Sequence, residues 1–249
     1  GLITAAVGMF FGIPSLRIKG FYLAVATLAA QFFLLWLFNR VPWFINYSSS
    51  GVISPPPIKL FGDYYITGTE ATNLTQYFFT LTFVIVLSLA ARNIIRGHIG
   101  RSWMAMRDMD IAAEIIGISP LKAKLSAFAV SSFYCGIAGA LWAFLYTGTV
   151  EPLAFEINQS FKILFMIIIG GLGSILGSFF GAAFIVVLPI FLNSAPALLG
   201  LELSGSLVTH IEFMVFGVLI VFFLIVEPHG LARLWGIAKE KLRLWPFPY

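Results

Sequence analysis

Residues Tyr77 to Ala91 read YFFTLTFVIVLSLAA, a run with no charge and no two-residue alternation. A strand of a membrane barrel alternates polar and apolar positions over about ten residues, and this stretch does not. Inside a bilayer the backbone finds no water, so a run this apolar satisfies its N–H and C=O groups only as a helix. Six runs of similar character surround it: Gly1–Ile13, Phe21–Phe38, Leu125–Thr147, Phe161–Ile169, Ile175–Leu192 and Ile211–Val226. A spanning helix needs about 20 mainly apolar residues. The pattern predicts an all-α, polytopic transmembrane helix bundle of about seven membrane segments, with residues 1–249 forming one transmembrane domain.

Composition points the same way. Of the 249 residues 59% are hydrophobic and 10% charged, and the mean hydropathy is +0.95. Soluble domains carry roughly 25% charged residues, so this chain has too little polar surface for water. Its net charge of +4 is not laid out as a basic stripe interleaved with aromatics, and nucleic acid is not an expected partner. The single Cys135 lies inside an apolar run and reads as a small packing residue, which leaves no disulfide framework and no thiolate metal site. His98, His210 and His229 are not spaced like metal ligands, and no acid, base and nucleophile meet at membrane depth. No catalytic residue, metal or cofactor is therefore expected. The chain opens on Gly1 within an apolar run, without a basic n-region or small-residue cleavage site. That reads as the tail of a membrane segment, and so as an N-terminally truncated domain.

The basic residues predict sidedness. If the loop at Arg17 and Lys19 is cytoplasmic, alternation puts Arg92–Lys124 and the tail after Glu227 on the same side. Those stretches hold 12 of the 15 basic residues; Arg40, Lys59 and Lys162 fall outside them. The positive-inside bias favours this orientation, with a cytoplasmic C-terminus. The opposite side receives Asn39–Gln76, Gly148–Ser160 and Asn193–His210. Pro55, Pro56 and Pro57 make the first of these an extended, turn-rich connector, and Asp63 and Glu70 lie in it. Sequons at Asn46, Asn73 and Asn158 also fall outside, as polar loops produce by chance.

One segment is too short. Nine helical residues, Phe161–Ile169, reach roughly 14 Å, against a hydrocarbon core of roughly 30 Å. Gly170, Gly171, Gly173 and Ser174 follow it, and glycine breaks helices readily. Either this is a short or broken helix shielded by neighbours, and so a pointer to a translocation path, or a tilted helix with polar ends. Gln31, polar inside the second segment, likewise either bonds across helices or faces a path. Glu156, Asn158, Gln159, Ser160 and Lys162 form an outer mouth or the snorkelling ends of that short helix. Small residues recur every fourth position at Ser132, Gly136 and Ala140 and at Gly173, Gly177 and Gly181. That spacing lines one helix face and admits close packing, static or moving.

The loop 92–124 is the most patterned polar stretch. Trp103–Ile116 predicts one helix, free of Gly and Pro and ended by Gly117 with Pro120 beyond. Arg107, Asp110 and Glu114 form a narrow charged stripe. Met106, Met109, Ala113 and Ile116 flank it on one side, Met104, Ile111 and Ile115 on the other. A helix with so narrow a polar face is covered on more than one side, by another protein or by lipid headgroups.

The run AAEIIGISP within this loop resembles the cytoplasmic coupling motif of ABC importer permeases, Glu-Ala-Ala, three residues, then Gly. Ala112, Ala113 and Gly117 match, and Ile111 stands where that motif has Glu. The wider run GRSWMAMRDMDIAAEIIGI, Gly100 to Ile118, is similar to the permease subunits of branched-chain amino-acid ABC importers. So are SLRIKGFYLAVATLA, IAGALWAF, IIIGGLGSILGSFFGAAF and EPHGLARLW, spread over almost the whole chain. The resemblance implies a transport subunit of the bacterial inner membrane, not an enzyme. Its partners would be separate ABC ATPase subunits gripping Arg107–Gly117, a second homologous permease subunit and a periplasmic substrate-binding protein. No Gly-x-x-x-x-Gly-Lys-Ser/Thr loop is present in the chain itself. The resemblance favours branched-chain amino acids as cargo, with related small solutes as alternatives. An ion-gradient-driven secondary transporter is the competing reading, but such carriers usually need Asp, Glu or His within the membrane, and these segments hold few.

Overall fold

A computed structural model describes residues 1–15, 21–45, 47–48, 51–59, 65–68, 71–198, 205–226 and 230–244. Arg17, Lys19, Asn46, Asp63, Glu70, Glu227 and His229 lie outside the described residues. Among the described residues the architecture is helical, as the apolar runs predict, with two isolated antiparallel bridges, Ile53 to Val150 and Lys59 to Tyr65. The chain falls into two compact units, Gly1–Glu156 and Ile157–Tyr249.

The first unit contains α1 (Leu2–Ser15), α2 (Phe21–Arg40), α3 (Asn73–Arg96), α4 (His98–Asp108), α5 (Asp110–Ile115) and α6 (Pro120–Leu141). A π-helical turn, Trp142–Thr147, extends α6, and a 3-10 turn covers Pro152–Phe155. Polar residues within α3 do not disturb it. The hydroxyls of Thr80, Thr82 and Ser88 donate to the carbonyls of Gln76, Phe78 and Val84 at 2.8, 2.8 and 2.6 Å. Their hydrogen bonds close within the helix, so the outer surface stays apolar. No residue of α3 is buried, and Phe78, Ile85, Val86 and Leu89 are exposed. In water that surface would be a liability; in lipid it is the expected exterior of a spanning helix.

Helices α1 and α6 pack through small residues. A Cβ on Gly8 would overlap Ser132 Oγ, and one on Gly136 would overlap Thr4 Oγ1. Ser132 and Gly136 thus face α1 at a separation that larger side chains would prevent. Tyr134 donates its hydroxyl to Leu87 O at 2.9 Å, joining α6 to α3.

The second unit contains α7 (Ile157–Gly170), α8 (Ile175–Leu198), α9 (Gly205–Val226) and α10 (Gly230–Leu244). Helix α7 begins four residues before the predicted segment, and its 14 residues reach roughly 21 Å. It is short, and the glycines after it form a corner rather than an interruption within it. Gly171 and Gly173 have φ of 111° and 83°, values that glycine adopts without strain. Ser174 accepts the Gly177 N–H through its Oγ at 3.0 Å, an N-cap for α8. Ile169 and Ile185 are fully buried, joined by Phe216 and Phe223 of α9, with Phe165, Met166, Phe184, Leu188, Leu219 and Leu231 around them.

The described residues include four helical stretches long and apolar enough to cross a membrane: 73–96, 120–147, 152–170 and 175–192. Shorter apolar helices lie at 2–13, 25–40 and 213–223. The chain is a multi-pass membrane protein.

Candidate functional site

The loop between α3 and α6 is a folded bracket. Met106 of α4, Ala113 of α5 and Ala123 of α6 form a buried cluster, with Trp103, Ala105 and Ile118 against it. Trp103 donates its indole N–H to Ser126 Oγ at 2.9 Å, and Ser126 donates onward to Ala123 O at 2.9 Å. Nothing in the spacing of Trp103 and Ser126 announces this bond. A polar residue in the first turns of α6 and an indole on the loop are the available signals, and a buried indole N–H requires an acceptor.

The predicted single helix Trp103–Ile116 is two helices. They meet at Met109, which is extended at φ −150° and ψ 91°. Met109 keeps both its backbone bonds, its N–H to Ala105 O and its C=O from Ala113 N, each 3.0 Å. The Asp110 carboxylate accepts the Ile111 N–H at 2.9 Å, satisfying a donor freed by the joint. Arg107 and Asp108 form an exposed ion pair at 2.8 Å. The hydrogen bond first, and then the charge of Asp108, raise the Arg107 pKa above its ordinary value, so Arg107 remains a cation. Arg107 thus lies in the last turn of α4, while Asp110 and Glu114 lie one turn apart on α5.

The end of α5 is a Schellman motif. Gly117 has φ 91°, its N–H bonds Glu114 O at 3.0 Å, and Ile118 N–H bonds Ala113 O at 3.0 Å. Ile118 then packs on the Met106–Ala113–Ala123 cluster, the apolar contact that accompanies this cap. Of the motif residues, Ala113 is 2% exposed and anchors the bracket, whereas Ala112, Glu114 and Gly117 are exposed. The chain itself covers this loop on one side, at the Met106–Ala113–Ala123 cluster. Met109, Ile111, Ile115 and Ile116 are 70 to 81% exposed. Four large apolar side chains on so short a polar loop form a patch of the kind that marks an interaction surface.

The other candidates fall elsewhere. Gln31 sits half-buried midway along α2. Gly170, Gly171, Gly173 and Ser174 make the α7–α8 corner, and Gly170, Gly177 and Gly181 bring the two helix backbones together. A Cβ on Gly170 would overlap Gly177 O, and one on Gly181 would overlap Met166 O. In the first unit, the segment after Pro55–Pro57 is tied down. Thr67 Oγ donates to Pro56 O and accepts from Ile58 N–H, both at 2.8 Å, and Ile53 and Val150 exchange bonds of 3.0 and 2.8 Å. Beneath it is an apolar pocket of about 160 Å³ lined by Ile58, Ile66, Phe79, Leu141, Phe144 and Leu145. Thr67, also in its wall, is already paired, so the pocket can take an apolar group but holds nothing for a carboxylate or an ammonium.

Residues 1–225 match the family described as branched-chain amino acid transport system / permease component. The chain is 32% identical to the high-affinity branched-chain amino acid transport system permease protein LivM of Salmonella typhimurium. The alignment of 206 residues covers 75% of this chain and 48% of that one. The protein of the same name in Escherichia coli is equally similar, and the probable branched-chain amino acid transport permease protein LivM of Methanocaldococcus jannaschii is 24% identical over 239 residues, 92% of this chain and 65% of that one. The chain spans about half the length of the first two curated relatives. No solved structure matches it. With the match running through the apolar helices, the loop bracket and the α7–α8 corner alike, the chain belongs to the branched-chain amino acid transport system permease component family.

Proposed function

We propose that this chain is the permease part of an ATP-driven ABC importer, moving branched-chain amino acids or related small solutes across the bacterial inner membrane. The observation that carries the reading is the loop bracket, rigid on its inner side and apolar on its outer side. Ala113 and Trp103 fasten it to α6, while Met109, Ile111, Ile115 and Ile116 face outward, where a separate ATPase subunit would cover them. Movement of a docked ATPase would be passed through the bracket to α6, and from α6 to α1 through the Gly8–Ser132 and Thr4–Gly136 contacts. A partner of this kind works by favouring one of two packings of the helices. The relatives are named for branched-chain amino acid transport, and the cargo is inferred from those names.

The reading includes a second homologous permease subunit, a periplasmic substrate-binding protein, and a C-terminus on the cytoplasmic side with the basic loops. The decisive experiment reconstitutes the full-length subunit in proteoliposomes with and without its ATPase partners. Accumulation of a labelled branched-chain amino acid should require the ATPases and ATP. Accumulation by the subunit alone, driven by a proton or sodium gradient, would overturn the proposal in favour of a secondary transporter.

A further inference from the structure

Helix α10 starts at Gly230, four residues on from Val226, where the apolar helix α9 ends. Four residues reach at most about 14 Å, so α10 begins near the end of a membrane helix. Its start is also anchored. A Cβ on Gly230, where φ is 63°, would lie 2.5 Å from Gly171 N and 2.6 Å from Ile169 O. Leu231 packs on the core around Ile169, and the Trp235 ring meets Phe180 edge-on at 5.6 Å. All of these partners lie at or near the α7–α8 corner, where two apolar helices end.

The remainder of α10 is exposed and amphipathic. At 100° per residue Leu231, Leu234, Trp235, Ala238 and Leu242 share one face, of which Leu234, Trp235 and Leu242 are 44, 53 and 72% exposed. Lys239 and Lys241 border that face on opposite sides, Arg243 lies beyond Lys239, and the helix's acid, Glu240, is opposite. An apolar face edged by basic side chains, held at the end of a membrane helix, is the arrangement of an interfacial helix. The face sinks into the headgroup boundary, and the lysines reach phosphates from their apolar stems.

We propose that α10 lies in the bilayer surface and that Lys239, Lys241 and Arg243 bind the headgroups of anionic phospholipids. The inference rests on the multi-pass architecture and not on ATPase coupling. A soluble protein partner fits less well, because the anchored first turn holds the apolar face at the membrane boundary.

The test uses the full chain with Leu242→Cys carrying a nitroxide, in a Cys135→Ser background. It is reconstituted in vesicles of phosphatidylcholine alone or of phosphatidylcholine mixed with phosphatidylglycerol. In the mixed vesicles the label should become accessible to oxygen and shielded from a water-soluble paramagnet, and salt should reverse this. Removing charge with Lys239→Gln, Lys241→Gln and Arg243→Gln should weaken the surface-bound state by about fivefold per residue. The salt titration on the unsubstituted basic residues gives the same answer if that triple variant folds poorly. A label equally exposed to water in both lipid mixtures would overturn the proposal. Equal shielding in both would remove the anionic headgroup from it, and shielding that appears only when an ATPase partner is added would assign the face to a protein.

Discussion

Gly181 illustrates what a single position decides in this chain. A Cβ there would overlap the Met166 carbonyl and lie 3.0 Å from Gly170 N, and backbone cannot rotate away as a side chain can. Gly181→Leu should therefore cost about 3 kcal/mol or more through overpacking, seen as a lower melting temperature in detergent. Gly217 of α9 has nothing within 4 Å of the place a methyl group would occupy. Gly217→Ala should be neutral or stabilising by up to about 1 kcal/mol, the helix-propensity difference. The four-residue spacing made Gly177 and Gly181 visible as one face, but not that the facing backbone belongs to Met166 and Gly170. Such partners depend on the turn made by Gly171 and Gly173, whose left-handed conformations a sequence permits without requiring. Trp103 is a second case. Ser126→Ala removes the acceptor of a half-buried indole N–H, and the loss of about 1 kcal/mol should appear as faster amide exchange across the loop bracket.

At the scale of the element, α5 carries the strongest expectations. Gly117 ends it in a left-handed conformation with open space around the missing Cβ. Gly117→Ala should then be strained without clashing, by about 1 kcal/mol, with faster exchange confined to residues 109–118. The charged face of α5 is a separate matter. Asp110→Lys together with Glu114→Lys should abolish ATP-driven uptake and leave membrane insertion intact, because neither residue belongs to the Met106–Ala113–Ala123 cluster. Normal uptake in that double variant would count against docking at this face. The joint at Met109 was not legible in the sequence. Helix breaks are usually announced by Gly or Pro, but here both backbone groups of Met109 stay bonded and Asp110 caps the next N–H. A break that keeps the hydrogen bonds of its central residue and gains a local cap needs no breaker residue. The spanning helices were legible because each apolar run must satisfy its own backbone, although their ends run past the predicted limits, as at Asn73–Arg96 against Tyr77–Ala91.

For the whole molecule the sensitive quantity is the parity of crossings. Glu114 precedes α6 and Lys239 follows α9, so on the proposed topology, in which α6, α7, α8 and α9 all cross, the chain returns to the same side. If α7 failed to cross, three crossings would place Lys239 opposite Glu114, and the basic tail would break the positive-inside pattern. Helix α7 alone reaches roughly 21 Å, less than a hydrocarbon core of roughly 30 Å, so whether it crosses decides the parity. Single cysteines at Arg96, Glu114 and Lys239 in a Cys135→Ser background should all react with a membrane-impermeant maleimide only in inside-out vesicles. Cysteines at Trp43 and Leu153 should react only in intact, right-side-out spheroplasts. Labelling of Lys239→Cys from the side opposite Glu114→Cys would show that an odd number of crossings separates them, and the proposed four-crossing topology would fall.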